Sequence, residues 1–339
     1  MKQKETIARR SAGLSCSAER EDPIDYVNME PLLIMRPEGL YCPIGDFYID
    51  PNRRVGRAII THGHTDHLRP GHKRYLISKA SEPILHYRLS HRPNSPPIQH
   101  QTLIYGEVLN VNGVHVSLHP AGHILGSAQV RLERRGYTAV VTGDYKLEAD
   151  ASCEEAQLLR CHLLVVESTF ALPVYVWRPQ NRLFEDMRRW SGRCLTDGVR
   201  PVFLCYSLGK AQRVLAGLRD LGPFHVHPAV QPFVEIYRAA GIELPTTTEI
   251  GEELAPTVVP PGGEASLAGC GPYRTALVSG WTAIGRRGRR GFALSDHLDW
   301  PALNQVVIET GAKEAWFVHG YSGEAARWFG EKGLATRAL

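Results

Sequence analysis

A chain of 339 residues, 43% of them hydrophobic and 22% charged, can bury a large core and is long enough for two domains or one elaborated domain. Thirty-nine Lys plus Arg against thirty-five Asp plus Glu leave a formal charge of +4, too small by itself to argue for a polyanionic partner. Seven cysteines with no C-x-x-C pair exclude a disulfide scaffold and a cysteine zinc finger, and the lack of any run of about eighteen apolar residues excludes a membrane partner and leaves the cytoplasm as the expected location.

Residues 1 to 28 mix Lys, Arg, Glu and Ser without apolar periodicity and read as a loose extension. Short β-type runs separated by Pro and Gly follow at 31–35, 39–42 and 47–50, the pattern of an antiparallel meander. The next strand, Arg57 to Thr61, runs into His62-Gly63-His64-Thr65-Asp66-His67, four side chains able to ligate a metal in six positions. Imidazole and carboxylate suit Zn²⁺, Mn²⁺ and Fe²⁺, and ligands at alternating positions let one loop serve two ions. A polar loop of satisfied histidines is the plainer alternative. It fits any one of these residues better than it fits all four, because crowded, unpaired ionisable groups are costly to bury. Asp50, at the end of the preceding strand, is either a turn former before Pro51 or a hydrogen-bond partner for a ligating imidazole.

Strand-like runs continue at 108–111, 114–118, 128–132 and 137–142, with the Gly-flanked His123 in a tight loop between them. Two further apolar runs end on acids, Val140 to Asp144 and Leu163 to Glu167. Beyond Phe170 the texture changes to amphipathic helices at 181–195 and 209–221 around a buried strand, Pro201 to Tyr206. The turn Ser207-Leu208-Gly209-Lys210 before the second helix is a candidate anion site but not a nucleotide-triphosphate motif. Residues 245 to 272, rich in Pro, Gly, Thr and Glu, read as surface connections. A strand restarts at 275–281, followed by the four arginines 286, 287, 289 and 290, then Ser295-Asp296-His297, a helix over about 300–311, a strand ending at His319, and a last helix from Ser322.

His62-x-His64-x-Asp66-His67 with the isolated His123 and Asp144 resembles the metallo-β-lactamase superfamily. Glu167-Ser168-Thr169-Phe170, Tyr206 to Gln212, Ser295 to Asp299 and Val318-His319-Gly320 are similar to the motifs of its β-CASP nuclease branch. Within that branch, Gly39 to Pro43, Leu172 to Tyr175 and Gly280-Trp281 look most like the bacterial exonucleases associated with ATP-dependent DNA ligases. The resemblance implies an α/β fold: a metallo-β-lactamase αβ/βα sandwich (29–172 and 294–339) with an inserted β-CASP-like α/β cap (173–293). One departure is Asp296, which stands beside His297 where the branch commonly has a small residue. Another is the lack of an added RNA-binding or C-terminal dimerisation domain, which weighs against RNA processing.

What the resemblance implies chemically is a site for two divalent metal ions, zinc or manganese. His62, His64 and His123 would hold one ion, Asp66, His67 and His319 the other, with Asp144 bridging. Asp66, Glu167 and His297 are the expected catalytic groups, His297 as proton donor to the leaving oxygen with Glu167 behind it. Asp50 would support a ligand. The Arg286, Arg287, Arg289 and Arg290 run, with Ser207 and Lys210, would contact nucleic acid, although by charge pattern alone the run is equally a solvated loop. Trp177, Trp281 and Trp300 are candidates for base stacking, a role that competes with ordinary core packing. The expected activity is exonucleolytic hydrolysis of DNA from single-stranded 5′ ends in repair. DNA is the expected partner, with an ATP-dependent DNA ligase and a helicase of the same repair system. An RNA-processing ribonuclease of the same branch is the alternative.

Overall fold

The computed structural model describes residues 30–90, 97–284 and 291–339. The expectations for residues 1–28 and for Arg286, Arg287, Arg289 and Arg290 lie outside the described residues. The described chain is α/β, with its strands gathered into three sheets. The first sheet contains β1 (Ile34–Arg36), β2 (Gly39–Cys42), β3 (Phe47–Ile49), β4 (Arg57–Ile59), β5 (Arg74–Ser78) and β6 (His100–Leu103), adjacent in chain order. Its first three strands form the expected antiparallel meander, and β4 then adds in parallel.

The second sheet takes β7 (Val108–Val111), β8 (Val114–Pro120), β9 (Ala128–Arg134), β10 (Tyr137–Val141) and β11 (Leu163–Glu167). It is completed from the far end of the chain by β18 (Glu314–Val318) and β19 (Ala335–Ala338). Strands β10, β11, β18 and β19 run parallel, so the loops that follow β10, β11 and β18 leave the sheet at one edge. That is the geometry in which residues distant in sequence meet.

Alternating side chains on these strands divide the apolar core into layers. Leu40, Ile49 and Ile59 of the first sheet pack with Val116, Val130 and Val165 of the second. On the outer face of the first sheet, Ala58, Tyr75 and Ile77 pack against Leu85 and Leu89 of helix α1 (Glu82–Ser90). On the outer face of the second, Val140, Leu164 and Val166 cover α5 (Trp300–Glu309) and α6 (Ser322–Glu331) through Leu303, Val306 and Phe329. The order is helix, sheet, sheet, helix.

The third sheet lies between these segments in the chain: β12 (Arg200–Leu204), β13 (Phe224–Val226), β14 (Thr247–Glu249), β15 (Thr257–Val259), β16 (Tyr273–Val278) and β17 (Gly291–Phe292). It is parallel throughout. Its core is shared with α2 (Gln180–Thr196) and α3 (Lys210–Gly217), and with Val234 of α4 (Gln231–Ala239). Here one expectation fails. Residues 245–272 are not only surface connections, because β15 is fully buried and hydrogen-bonded on both edges, between β12 and β13. No helix among the described residues is long and apolar enough to cross a membrane.

Candidate metal centre

The loop after β4 carries His62, His64 and His67; the β8–β9 loop carries His123; Asp144 follows β10 and His319 follows β18. These side chains gather into two groups, His62–His64–His123–Asp144 and His67–Asp144–His319, which share the Asp144 carboxylate. Its Oδ2 lies 3.4 Å from His62 Nε2 and 3.5 Å from His123 Nε2, while Oδ1 lies 3.5 Å from His67 Nε2. The two oxygens therefore face different groups.

The outer nitrogens decide whether the first group suits a cation. A carbonyl can only accept, so His64 Nε2–H donates to Leu208 O at 3.1 Å and His123 Nδ1–H to Asp296 O at 2.7 Å. The Thr61 hydroxyl gives its proton to Asp50 Oδ2 at 2.6 Å and so accepts from His62 Nδ1 at 3.1 Å. Each inner nitrogen is then a bare lone pair. Yet His64 Nδ1 lies 3.0 Å from His62 Nε2 and 3.1 Å from His123 Nε2. Three converging lone pairs beside a carboxylate repel one another unless a positive charge sits among them, so this donor set fits a divalent cation.

Protonation follows the same logic. Burial pushes the His62, His64 and His123 imidazoles below their ordinary value and keeps them neutral. Burial acts on His67 in the same direction, but Asp144 and then Asp50 outweigh it and raise His67 well above the usual range. Asp50 Oδ2 lies 2.7 Å from His67 Nδ1, which places Asp50 behind an imidazole of the second group. Burial would raise the Asp144 carboxyl; His67, His297 and His62 more than offset it and hold it low. Asp50 and His319 both adopt positive φ, 44° and 64°, a strained backbone for these residue types.

His297 and Glu167 meet beside the first group. Glu167 Oε1 accepts from His297 Nδ1 at 3.0 Å and from the backbone N–H groups of Tyr145 and Leu298 at 3.2 and 3.3 Å. Its Oε2 accepts from Thr169 N–H at 3.1 Å, so the carboxylate cannot turn away. The His297 ring centroid is 4.8 Å from that of His123.

A cleft of about 750 Å³ opens over both groups, bounded by Tyr206, Ser207, Phe170, Trp281 and His297. Tyr206 and Trp281 are 64% and 50% exposed. Trp177 instead packs on Phe170 and donates its indole N–H to His297 O, and Trp300 packs on Trp328.

Two expected contacts line the cleft in other settings. Asp66 lies 3.8 Å from His67, with its side chain 70% exposed, and belongs to neither group. Lys210 lines the cleft, with its ammonium paired to Asp296 Oδ1 at 2.8 Å and donating to Leu294 O at 2.7 Å. Arg88 was not expected at the site, because α1 has no clear apolar stripe in the sequence. It lines the cleft with its Nε buried and without a hydrogen-bond partner.

No family model matches the chain. Among curated proteins it is 31% identical to a probable DNA ligase of Opitutus terrae, over 89% of this chain and 30% of that protein. It is 27% identical to the endoribonuclease YSH1 of Saccharomyces cerevisiae over 42% of this chain and 18% of the relative, and 28% identical to the transcription termination factor FttA of Methanothermobacter thermautotrophicus over 53% and 32%. The chain thus spans about a third or less of these relatives. A crystal structure of an Enterococcus faecalis protein of unknown function shares the fold, with a TM-score of 0.54 and 14% identity, covering 84% of this chain and 79% of that one.

Proposed function

We propose, from the motif resemblance and the similarity to these relatives, that the chain is a nuclease of the β-CASP branch of the metallo-β-lactamase type, a metal-dependent DNA exonuclease acting on single-stranded ends, with 5′ polarity, in DNA repair. The four layers fit an αβ/βα sandwich formed by 29–172 and 294–339, with residues 173–293 as an inserted cap whose edge walls the cleft. The observation that carries the reading is the pair of ligand groups sharing Asp144, with the His297–Glu167 pair beside them.

His62, His64, His123 and Asp144 would hold one zinc or manganese ion; Asp144, His67 and His319 would hold the second, flanked by Asp66. When bound, such ions activate water and neutralise charge on phosphoryl oxygens. The protein's own groups supply the rest. His297, protonated on its cleft-facing nitrogen, donates a proton to the departing sugar oxygen, a contribution of roughly 10²- to 10⁴-fold. Glu167 holds that imidazole in one orientation and stabilises its charge. Arg88 is the arginine or lysine that lines the cleft, among the described residues, without an anionic partner in hand, and it suits a phosphodiester. Exposed Tyr206 and Trp281 offer faces for unpaired bases. The match to a protein called a DNA ligase supports DNA as substrate and a ligase as partner; a helicase of the same repair system is the further partner in this reading.

Ribonucleolytic processing is the second reading, favoured by the matches to YSH1 and FttA. Labelled DNA and RNA of one sequence, with either or both ends blocked and metals added back singly, separate the two. Shortening of DNA from a free 5′ end is the expected result. Exclusive cutting of RNA, or internal cutting with both ends blocked, overturns it.

A further inference from the structure

We propose that Arg213 is a positioning residue that sets the metal centre through the backbone of Asp296, an inference that rests on the metal-ligand reading of His123. Arg213 is 2% exposed and lies on α3, outside the loops that carry the ligands. Its Nη1 donates to Asp296 Oδ1 at 2.9 Å and to the Ser295 carbonyl; its Nη2 donates to Glu148 Oε2 and Gln180 Oε1, both at 3.0 Å. One turn earlier, Lys210 grips the same Asp296 carboxylate and the Leu294 carbonyl. Helix α3 therefore clamps three consecutive residues, 294 to 296, immediately before His297.

The carbonyl of Asp296 is the acceptor for His123 Nδ1–H. That bond fixes the tautomer and ring orientation of the imidazole whose other nitrogen faces Asp144. A second arm reaches the same loop from the other side. Arg213 Nε is 3.2 Å from Asp150 Oδ2, Lys146 donates to that oxygen at 2.7 Å, and the Lys146 backbone N–H donates to Ala121 O at 3.0 Å. His123 is thus held on one side by the segment that Arg213 clamps and on the other by a loop tied through Lys146 to Asp150, the carboxylate that pairs with the Arg213 charge.

Placing Arg213, Lys210 and Lys146 with Asp296 and Asp150 out of water is a poor way to gain stability alone, since apolar packing of similar volume does as well or better. What such a network does supply is a single geometry, here delivered to His123 and to His297, which follows the clamped segment.

The test compares the full chain with Arg213→Met and Arg213→Lys. Zn²⁺ affinity is read by chelator competition, the visible spectrum is recorded on the Co²⁺-loaded protein, and kcat and KM are measured on labelled DNA. Arg213→Met is expected to weaken Zn²⁺ binding roughly 10- to 100-fold, alter the Co²⁺ bands and lower kcat with little change in KM, and Arg213→Lys to restore part of each. Wild-type affinity and an unchanged Co²⁺ spectrum in Arg213→Met, even with a lowered melting temperature, reduce Arg213 to a stabilising residue and overturn the proposal. If Arg213→Met does not fold, Asp296→Asn, which keeps the shape and removes the charge both cations grip, is read by the same criterion. A wild-type chain that binds Zn²⁺ but cleaves no nucleic acid sinks the nuclease reading and leaves the metal comparison standing. An active wild type with an unaffected variant sinks this inference alone.

Discussion

His297 is half-buried beside a fixed carboxylate, and the balance of those two effects sets its charge. Burial lowers an imidazole's pKa; Glu167, and after it Asp144, more than reverse this and raise His297 to about 9. Without a bound cation, the proton-donating form is therefore populated through neutral pH. Because the folded value lies above the ordinary 6.5, the pair's contribution to stability is complete below 6.5 and is lost as pH climbs through about 9. Glu167→Gln keeps the hydrogen-bond geometry but removes the leading charge, so the His297 titration followed by NMR in chelator should move down toward neutral pH. An unmoved titration would show that Glu167 does not set it. The chelator matters because bound divalent cations also lower the value. The identity of this pair was legible in the sequence through the two motifs. The environment of Lys210 was not: a lysine after a Gly turn at a helix start reads as an anion site, and its counter-charge Asp296 is brought to it only by the fold.

At the scale of elements, the turn after β10 shows how narrow the tolerance is. Gly143 has φ of +58°, and a Cβ there would lie 2.6 Å from Thr61 Cβ and Oγ1. Thr61 is the residue that links His62 to Asp50. Gly143→Ala should therefore cost about 1–3 kcal/mol in denaturant unfolding, and also weaken Zn²⁺ in chelator competition, because Thr61 must move. Stability lost with metal affinity intact would mean that the neighbouring loop absorbs the clash without disturbing His62. The strands that deliver these turns were legible because an apolar run ending on Asp, Glu or His is a long and unusual pattern. Strand β15 was not. Three residues, Thr257 to Val259, are too few for alternation to register, and the surrounding Pro and Gly signal a connection. Helix α1 was missed for a different reason: His86, Tyr87 and Arg88 interrupt its apolar face, and Tyr87 and Arg88 line the cleft.

Across the whole molecule, the proposed ligands come from loops of the first and second sheets, and the outer hydrogen bonds of His64 and His123 go to segments that follow β12 and β17 of the third sheet, at Leu208 and Asp296. A cation in the first group binds the folded arrangement and not the unfolded chain. It should stabilise the fold by about 2.7 kcal/mol at a free concentration a hundred times its Kd, and chelator should lower the melting temperature of the wild type. His64→Ala should abolish cleavage and most of the chelator effect together; retention of either would remove His64 from the centre. Proton linkage gives the sign of the pH dependence. Without a cation, His67 carries a proton because Asp144 and Asp50 raise it well above its ordinary value. Ligation through its Nε2 must displace that proton, so metal binding near neutral pH should release protons and strengthen as pH rises. Calorimetry in two buffers of different ionisation enthalpy measures the number released. Asp50→Asn removes one of the two carboxylates that hold the proton, so it should reduce the protons released at pH 7 while weakening the support of the ligand. A release unchanged in Asp50→Asn would assign the proton to a group other than His67.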